Sequence, residues 1–164
     1  MYWIEEQFPG RIAIVPRPRG SDWLERDVQN WRREGLDVLV SMLTAEEDRE
    51  LELGSEAVQC HDRGIEFISF PVVDRGVPVD QESFAELAHA LAAKLSVGLK
   101  VGVHCRQGIG RSALLVAAVL LAVGVELESV LKSITAARGF AVPETPEQRR
   151  WIEEYARRHS ALTR

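Results

Sequence analysis

The sequence predicts an α/β fold, a single domain with a mainly parallel central sheet of about four to five strands flanked by helices on both faces. Three observations carry this expectation. Short apolar runs alternate with longer segments of helical period, the pattern of strand–helix–strand units. At 164 residues and 46% hydrophobic content, the chain can bury one sizeable core and is too short for two. The segment 112–123 is apolar on every side, which places a helix at the centre of that core rather than on its surface.

Taken in order, residues 11–15 form a short apolar run that ends at Pro16, Pro18 and Gly20, a strand entering a stiff turn. Over 21–35, Trp23, Leu24, Val28 and Trp31 share one helical face, with Ser21 or Asp22 as cap and Gly35 as stop. Residues 37–41 read as a buried strand. Thr44 and Glu47 then make a capping box for a short acidic helix, and 55–64 is another short helix ending in glycine. An alternating strand over 65–70 stops at Pro71. The strongest helical period lies at 80–95, where Phe84, Leu87, Ala88, Leu91 and Leu95 form a stripe. The buried strand 99–103 follows, then the central helix, and two more helices at 126–138 and from Pro146 to about Arg158. Ligands of such sheets bind beyond the carboxyl ends of the strands.

Charge and cysteine usage narrow the function. A formal net charge of −5 argues against a nucleic-acid partner, because a phosphate backbone meets a repulsive overall field. Any anionic substrate must therefore be attracted locally. The 17 arginines against 3 lysines suit planar two-pronged contacts to oxyanions, although a GC-rich coding sequence is the weightier explanation of the skew. With two cysteines, Cys60 and Cys105, and an acidic start, the chain is expected to lack a secretory leader and to work as a monomer in the reducing cytoplasm. The longest uncharged apolar run, 113–125, is too short to cross a bilayer, so no membrane partner is expected. His61, His89 and His159 show no metal-ligand spacing, and neither metal nor cofactor is expected. Cys60 and the tryptophans at 23, 31 and 151 read as packing residues.

The chemistry concentrates in residues 100–113, KVGVHCRQGIGRSA. With so many arginines, a cysteine and an arginine six places apart carry little weight alone. Their context is informative. A buried strand delivers Cys105, Gly108 and Gly110 let the backbone curl so that N–H groups face inward, and a helix begins at Arg111 or Ser112. The backbone of Arg106, Gln107, Gly108, Ile109 and Gly110 then forms an anion cradle at the positive end of a helix dipole. That field favours phosphate and equally favours a thiolate. Arg111 can grip two phosphoryl oxygens in a planar fork, Ser112 can donate to the sulfur, and His104 can fix the loop by hydrogen bonding to its backbone. The bland alternative is a glycine turn around a structural cysteine.

The segment from His104 to Ser112 resembles the signature loop of the cysteine-dependent protein tyrosine phosphatase superfamily, and the chain length suggests its compact dual-specificity branch. The similarity to the kinase-associated phosphatase group runs from about Pro16 to Trp151. Ala113 departs from the family's usual glycine but removes no catalytic group. The resemblance implies an aspartate general acid about thirty residues before the cysteine, and Asp74, in a loop bracketed by Pro71 and Pro78, stands there. It further implies a water-positioning glutamine, for which Gln148 is the candidate, with Glu144 where a first glutamine would stand. Thr145, Pro146 and Gln148 also read as a helix-capping box. Arg17, Arg19 and Arg75 are candidates for a substrate rim.

The implied reaction is metal-independent phosphomonoester hydrolysis through a phosphocysteine on Cys105. Its expected substrates are phosphotyrosine and phosphoserine or phosphothreonine in proteins, or a small phosphomonoester. The cradle holds no lysine of the kind that phosphoinositide phosphatases carry, which disfavours a lipid. Two other readings stay open: a phosphate-binding scaffold without turnover, and a sulfurtransferase using Cys105. A redox pairing of Cys60 with Cys105 also stays open.

Overall fold

Each strand expected from the sequence forms, and one more precedes them. The computed structural model describes residues 1–6 and 8–160; residues 161–164, counted in the expected domain, lie outside the described residues. In chain order the elements are β1 (Tyr2–Trp3), β2 (Arg11–Ile14), α1 (Leu24–Arg33), β3 (Val38–Ser41), α2 (Ala45–Glu50), α3 (Glu56–Asp62), β4 (Glu66–Ser69), α4 (Gln81–Ser96), β5 (Lys100–His104), α5 (Arg111–Ala122), α6 (Leu127–Arg138) and α7 (Pro146–Ser160).

The five strands form one sheet in the order β1-β2-β5-β3-β4. All neighbours pair in parallel except β1, which runs antiparallel to β2 with Tyr2 opposite Ile14 and Trp3 opposite Ala13. Two residues are too short a run to declare a strand by periodicity, so β1 was not legible beforehand.

Alternation along the strands divides the core in two. Ile12, Ile14, Val38, Val40, Val101 and Val103 face α4 through α7, while Val15, Leu36 and Leu39 face α1 and α3. Helix α5 is apolar all round because it packs against the sheet, α4, α6 and α7, and its residues 111–120 are all buried. Asp80 caps α4 by accepting from the Ser83 N–H at 3.0 Å.

The start of α1 differs from the expectation. Residues Ser21–Trp23 form a 3-10 turn, and neither Ser21 nor Asp22 supplies a side-chain cap. Three residues per turn rotate Trp23 off the α1 stripe, leaving it 49% exposed with the Arg19 and Arg26 guanidinium groups over its ring. Trp31 is buried as expected and Trp151 partly so. Cys60 is more deeply placed than an amphipathic position suggests: it is fully buried, and burial pushes its thiol up to about 12. It packs on the opposite sheet face from Cys105, and both are free thiols.

Parallel order brings the carboxyl ends of β3, β5 and β4 side by side. The chain leaving them supplies Met42, Cys105 and Val72 respectively, which puts three sequence-distant segments around one point.

Candidate active site

Strand β5 ends in the core, and the next residue, Cys105, is 3% exposed. The loop then turns over Gly108, at φ +69°, in the left-handed region that a side chain rarely adopts. This turn aims the Gly108 N–H at Cys105 Sγ, 3.2 Å away. Helix α5 begins at Arg111 without a side-chain cap, so no side chain of its own competes for the first-turn N–H groups at the cradle. Gly110 is closely covered by another element. A Cβ there would lie 2.8 Å from Gln148 Nε2 and 2.9 Å from its Oε1.

Arg111 is 1% exposed, which for a permanent charge demands a full set of partners. Its Nη1 donates to Glu47 Oε2 at 2.7 Å and to the carbonyls of Val72 at 2.8 Å and Met42 at 3.2 Å. Its Nη2 donates to Glu47 Oε1 at 2.9 Å and to Asp74 Oδ1 at 2.8 Å. Glu47 thus takes the guanidinium as a two-pronged fork. The same carboxylate closes the capping box with Thr44, whose N–H donates to Oε2 at 3.0 Å. The sequence displayed the capping box and concealed the second role, because nothing in a local motif indicates a partner on another element.

Burial works against the Arg111 charge, but the Glu47 hydrogen bonds and the charges of Cys105, Glu47 and Asp74 outweigh it and raise its pKa above the ordinary value. For Glu47, burial pushes the carboxyl up, while Arg111 and Thr44 pull it further down, to a net value below the usual range. A carboxyl depressed in the folded state contributes stability above its unfolded pKa of about 4.3 and loses it as pH falls through the folded value. Glu47→Gln is therefore expected to cost about 3 kcal/mol at pH 7, since it leaves a buried charge half-paired. In urea denaturation the gap to the parent narrows as pH falls below about 4. A gap that is constant from pH 7 to pH 3 contradicts the ion pair.

Asp74 lies in the loop after β4, and its carboxylate is 46% exposed, the only strongly exposed partner in the Arg111 set. Two contacts tie this loop to the start of α7. Arg75 Nη1 pairs with Glu144 Oε1 at 2.5 Å, and Gln148 Nε2 donates to the Gly76 carbonyl at 2.9 Å. The expected capping box also forms, with Thr145 N–H donating to Gln148 Oε1 at 3.2 Å and Gln148 N–H to Thr145 Oγ1 at 3.1 Å. Gln148 is completely buried, so it touches both the Asp74 loop and Gly110.

Other candidates fall differently. His104 does not bond to the loop backbone as expected. Its buried ring turns to the other sheet face, with Nε2 3.0 Å from the buried Glu56 Oε1 and its plane near Trp31. Ser112 Oγ is buried and has no hydrogen-bond partner among the described residues, so it does not contact the sulfur in this state. Arg17 Nε reaches the Arg106 carbonyl at 3.4 Å, Arg19 is committed to Asp27, and Arg106 pairs with Glu50.

With Cys105, Arg111 and Asp74 converging on one cradle, comparison with known proteins becomes informative. The model of the family described as dual specificity phosphatase, catalytic domain, matches residues 35–158. The chain belongs to this family, a compact branch of the cysteine-dependent tyrosine phosphatases, and is a phosphatase. Solved structures share its fold. Kinase associated phosphatase, with its catalytic cysteine changed to serine, has a TM-score of 0.79 at 22% identity, covering 92% of this chain and 87% of its own. The active form of Tk-PTP has a TM-score of 0.74 at 24% identity, covering 96% and 97%. PTPMT1 in complex with PI(5)P has a TM-score of 0.75 at 24% identity, covering 93% and 94%. No curated protein matches the chain.

Proposed function

We propose that the chain hydrolyses phosphomonoesters through a phosphocysteine on Cys105, with Arg111 as phosphate clamp and Asp74 as general acid and then base. The observation that carries this reading is the Arg111 guanidinium, which joins the cysteine loop to the Asp74 carboxylate through one 2.8 Å hydrogen bond. In the first step the Cys105 sulfur attacks phosphorus in line while Asp74, protonated in the substrate complex, gives its proton to the departing oxygen. The equatorial oxygens meet the N–H groups of the loop 106–110 and Arg111, donors already oriented before the reaction. Asp74, now ionised, takes a proton from the attacking water. The S–P bond breaks, inorganic phosphate leaves and the thiolate returns.

Three further residues are assigned supporting roles. Ser112, buried one residue after the clamp, is proposed to turn its unpartnered hydroxyl to the departing sulfur. Gln148 has one Nε2 hydrogen beyond its bond to Gly76, and we assign it to the hydrolytic water. His104, buried beside Glu56 without a hydrogen bond to it, is proposed to support the base of the loop by packing. We further propose that residues 1–164 act as one catalytic domain, as a monomer in a reducing cytoplasmic setting where Cys105 stays a free thiol.

For substrate, the reading favours phosphotyrosine and phosphoserine or phosphothreonine in proteins. The loop 104–112 contains no lysine, and the arginines around it are committed: Arg75 and Arg106 pair with Glu144 and Glu50, while Arg17 and Arg138 donate to the loop's own carbonyls. Such a rim offers little attraction to additional phosphates. Because one fold neighbour is solved with a phosphoinositide, initial rates should be measured on a panel of phosphopeptides, phosphoinositides and p-nitrophenyl phosphate, with and without vanadate. Vanadate-sensitive turnover with phosphopeptides preferred is expected. Phosphoinositides turned over faster would displace the protein-substrate reading. Bound phosphate without turnover would favour a scaffold, and sulfur transfer from thiosulfate to cyanide would favour sulfurtransferase chemistry.

A further inference from the structure

Three successive carbonyls of the loop each accept from an arginine that the mechanism does not use. Arg17 Nε reaches the Arg106 oxygen at 3.4 Å. Arg138, the last residue of α6, takes the other two: Nη2 donates to the Gln107 oxygen at 3.3 Å and Nε to the Gly108 oxygen at 2.8 Å. Its guanidinium is held between two rings, 3.9 Å from the centroid of Tyr2 and 4.8 Å from that of Phe140. Tyr2 belongs to β1, the strand that periodicity did not reveal.

A trans peptide is planar, with the C=O of one residue and the N–H of the next directed to opposite sides. Holding the Gln107 oxygen outward therefore turns the Gly108 N–H inward, and that N–H is the one that donates to Cys105 Sγ at 3.2 Å. By the same rule, the bond to the Gly108 oxygen directs the Ile109 N–H to the opposite side of its plane. Glycine flanks both planes with its shallow backbone preferences, so local sterics alone do not fix their orientation. A two-pronged, ring-braced guanidinium supplies the missing constraint.

We propose that Arg138 is a positioning residue for phosphate binding: it sets the two peptide planes that aim the Gly108 and Ile109 N–H groups into the cradle, and Tyr2 braces it. This rests on the reading that the Cys105 loop binds the substrate's phosphate. Arg138→Lys keeps the charge and loses the fork, whereas Arg138→Gln loses both.

The test uses the full chain carrying Cys105→Ser, with inorganic phosphate as probe and the backbone amide resonances of Gly108 and Ile109 as readout. Both Arg138 variants are expected to bind phosphate about tenfold more weakly and to shift those two resonances before phosphate is added. Tyr2→Ala, which leaves loop and helix intact, is expected to lose about two- to fivefold and carries the test should the Arg138 variants fold poorly. Affinity retained by Lys but lost by Gln would mean a through-space charge effect and overturn the positioning role, as would unchanged affinity in all three. A Cys105→Ser parent that shows no phosphate response at Gly108 and Ile109 would overturn the site reading itself, and Arg138's role with it.

Discussion

Cys105→Ser is expected to abolish turnover of p-nitrophenyl phosphate, by on the order of 10⁴-fold or more in kcat, and to leave phosphate binding in place. The two halves of this result have separate causes. A serine hydroxyl at a buried position beside a helix N-terminus is not ionised at neutral pH, so it is a poor nucleophile where a thiolate is a good one. On the proposed reading, phosphate is held by backbone N–H groups of the loop and by Arg111, and none of these is altered. The Gly108 N–H that now meets the sulfur can donate to a hydroxyl oxygen instead. Stopped assays of turnover alongside phosphate titration check both halves. Turnover within tenfold of the parent would remove Cys105 as nucleophile.

Asp74→Ala is expected to lower kcat by about 10²- to 10³-fold on aryl phosphates with poor leaving groups, and by much less on those with good ones. A phenoxide of high pKa needs its proton in the transition state, whereas an electron-poor phenoxide leaves without help. The structure adds a second expectation. Asp74 Oδ1 occupies an Nη2 hydrogen of Arg111 that, on the proposed reading, a phosphate oxygen uses, and it places negative charge beside that proposed phosphate site. Its removal should leave phosphate affinity unchanged or tighter, so kcat falls while KM does not rise. A leaving-group series that shows one uniform loss would argue against proton donation, and a raised KM with normal kcat would recast Asp74 as a binding residue.

The parts of this site that were legible in the sequence are those encoded by local pattern. The apolar run to Val103, the glycines at 108 and 110 and the apolar helix from Arg111 name a strand, a turn and a buried helix in that order, and the structure has them so. Asp74 was singled out by the family resemblance, with the flanking prolines marking its loop, and the Thr145 to Gln148 capping box was legible through its spacing.

What escaped are contacts between elements. Glu47 was read as a cap and is also the fork under Arg111, 64 positions away in the chain. Arg138 looked like the basic end of a helix and lies on the loop carbonyls. His104 was expected to serve the loop backbone; strand alternation instead sends its ring to the opposite sheet face, where Glu56 waits. Trp23 was misplaced because a 3-10 turn does not keep the α-helical period. For Glu47, Arg138 and His104, one-dimensional spacing has no term for a neighbour on another element.

The central claim is that phosphorus passes through Cys105. Rapid acid quench during turnover of a labelled phosphomonoester, followed by peptide mapping, tests it directly, because the thiophosphate bond forms in one step and is hydrolysed in the next. The account predicts label on the peptide containing Cys105, accumulating further when Asp74 is replaced and a good leaving group keeps the first step fast. Steady turnover with no label on Cys105, or with label on another residue, would contradict it.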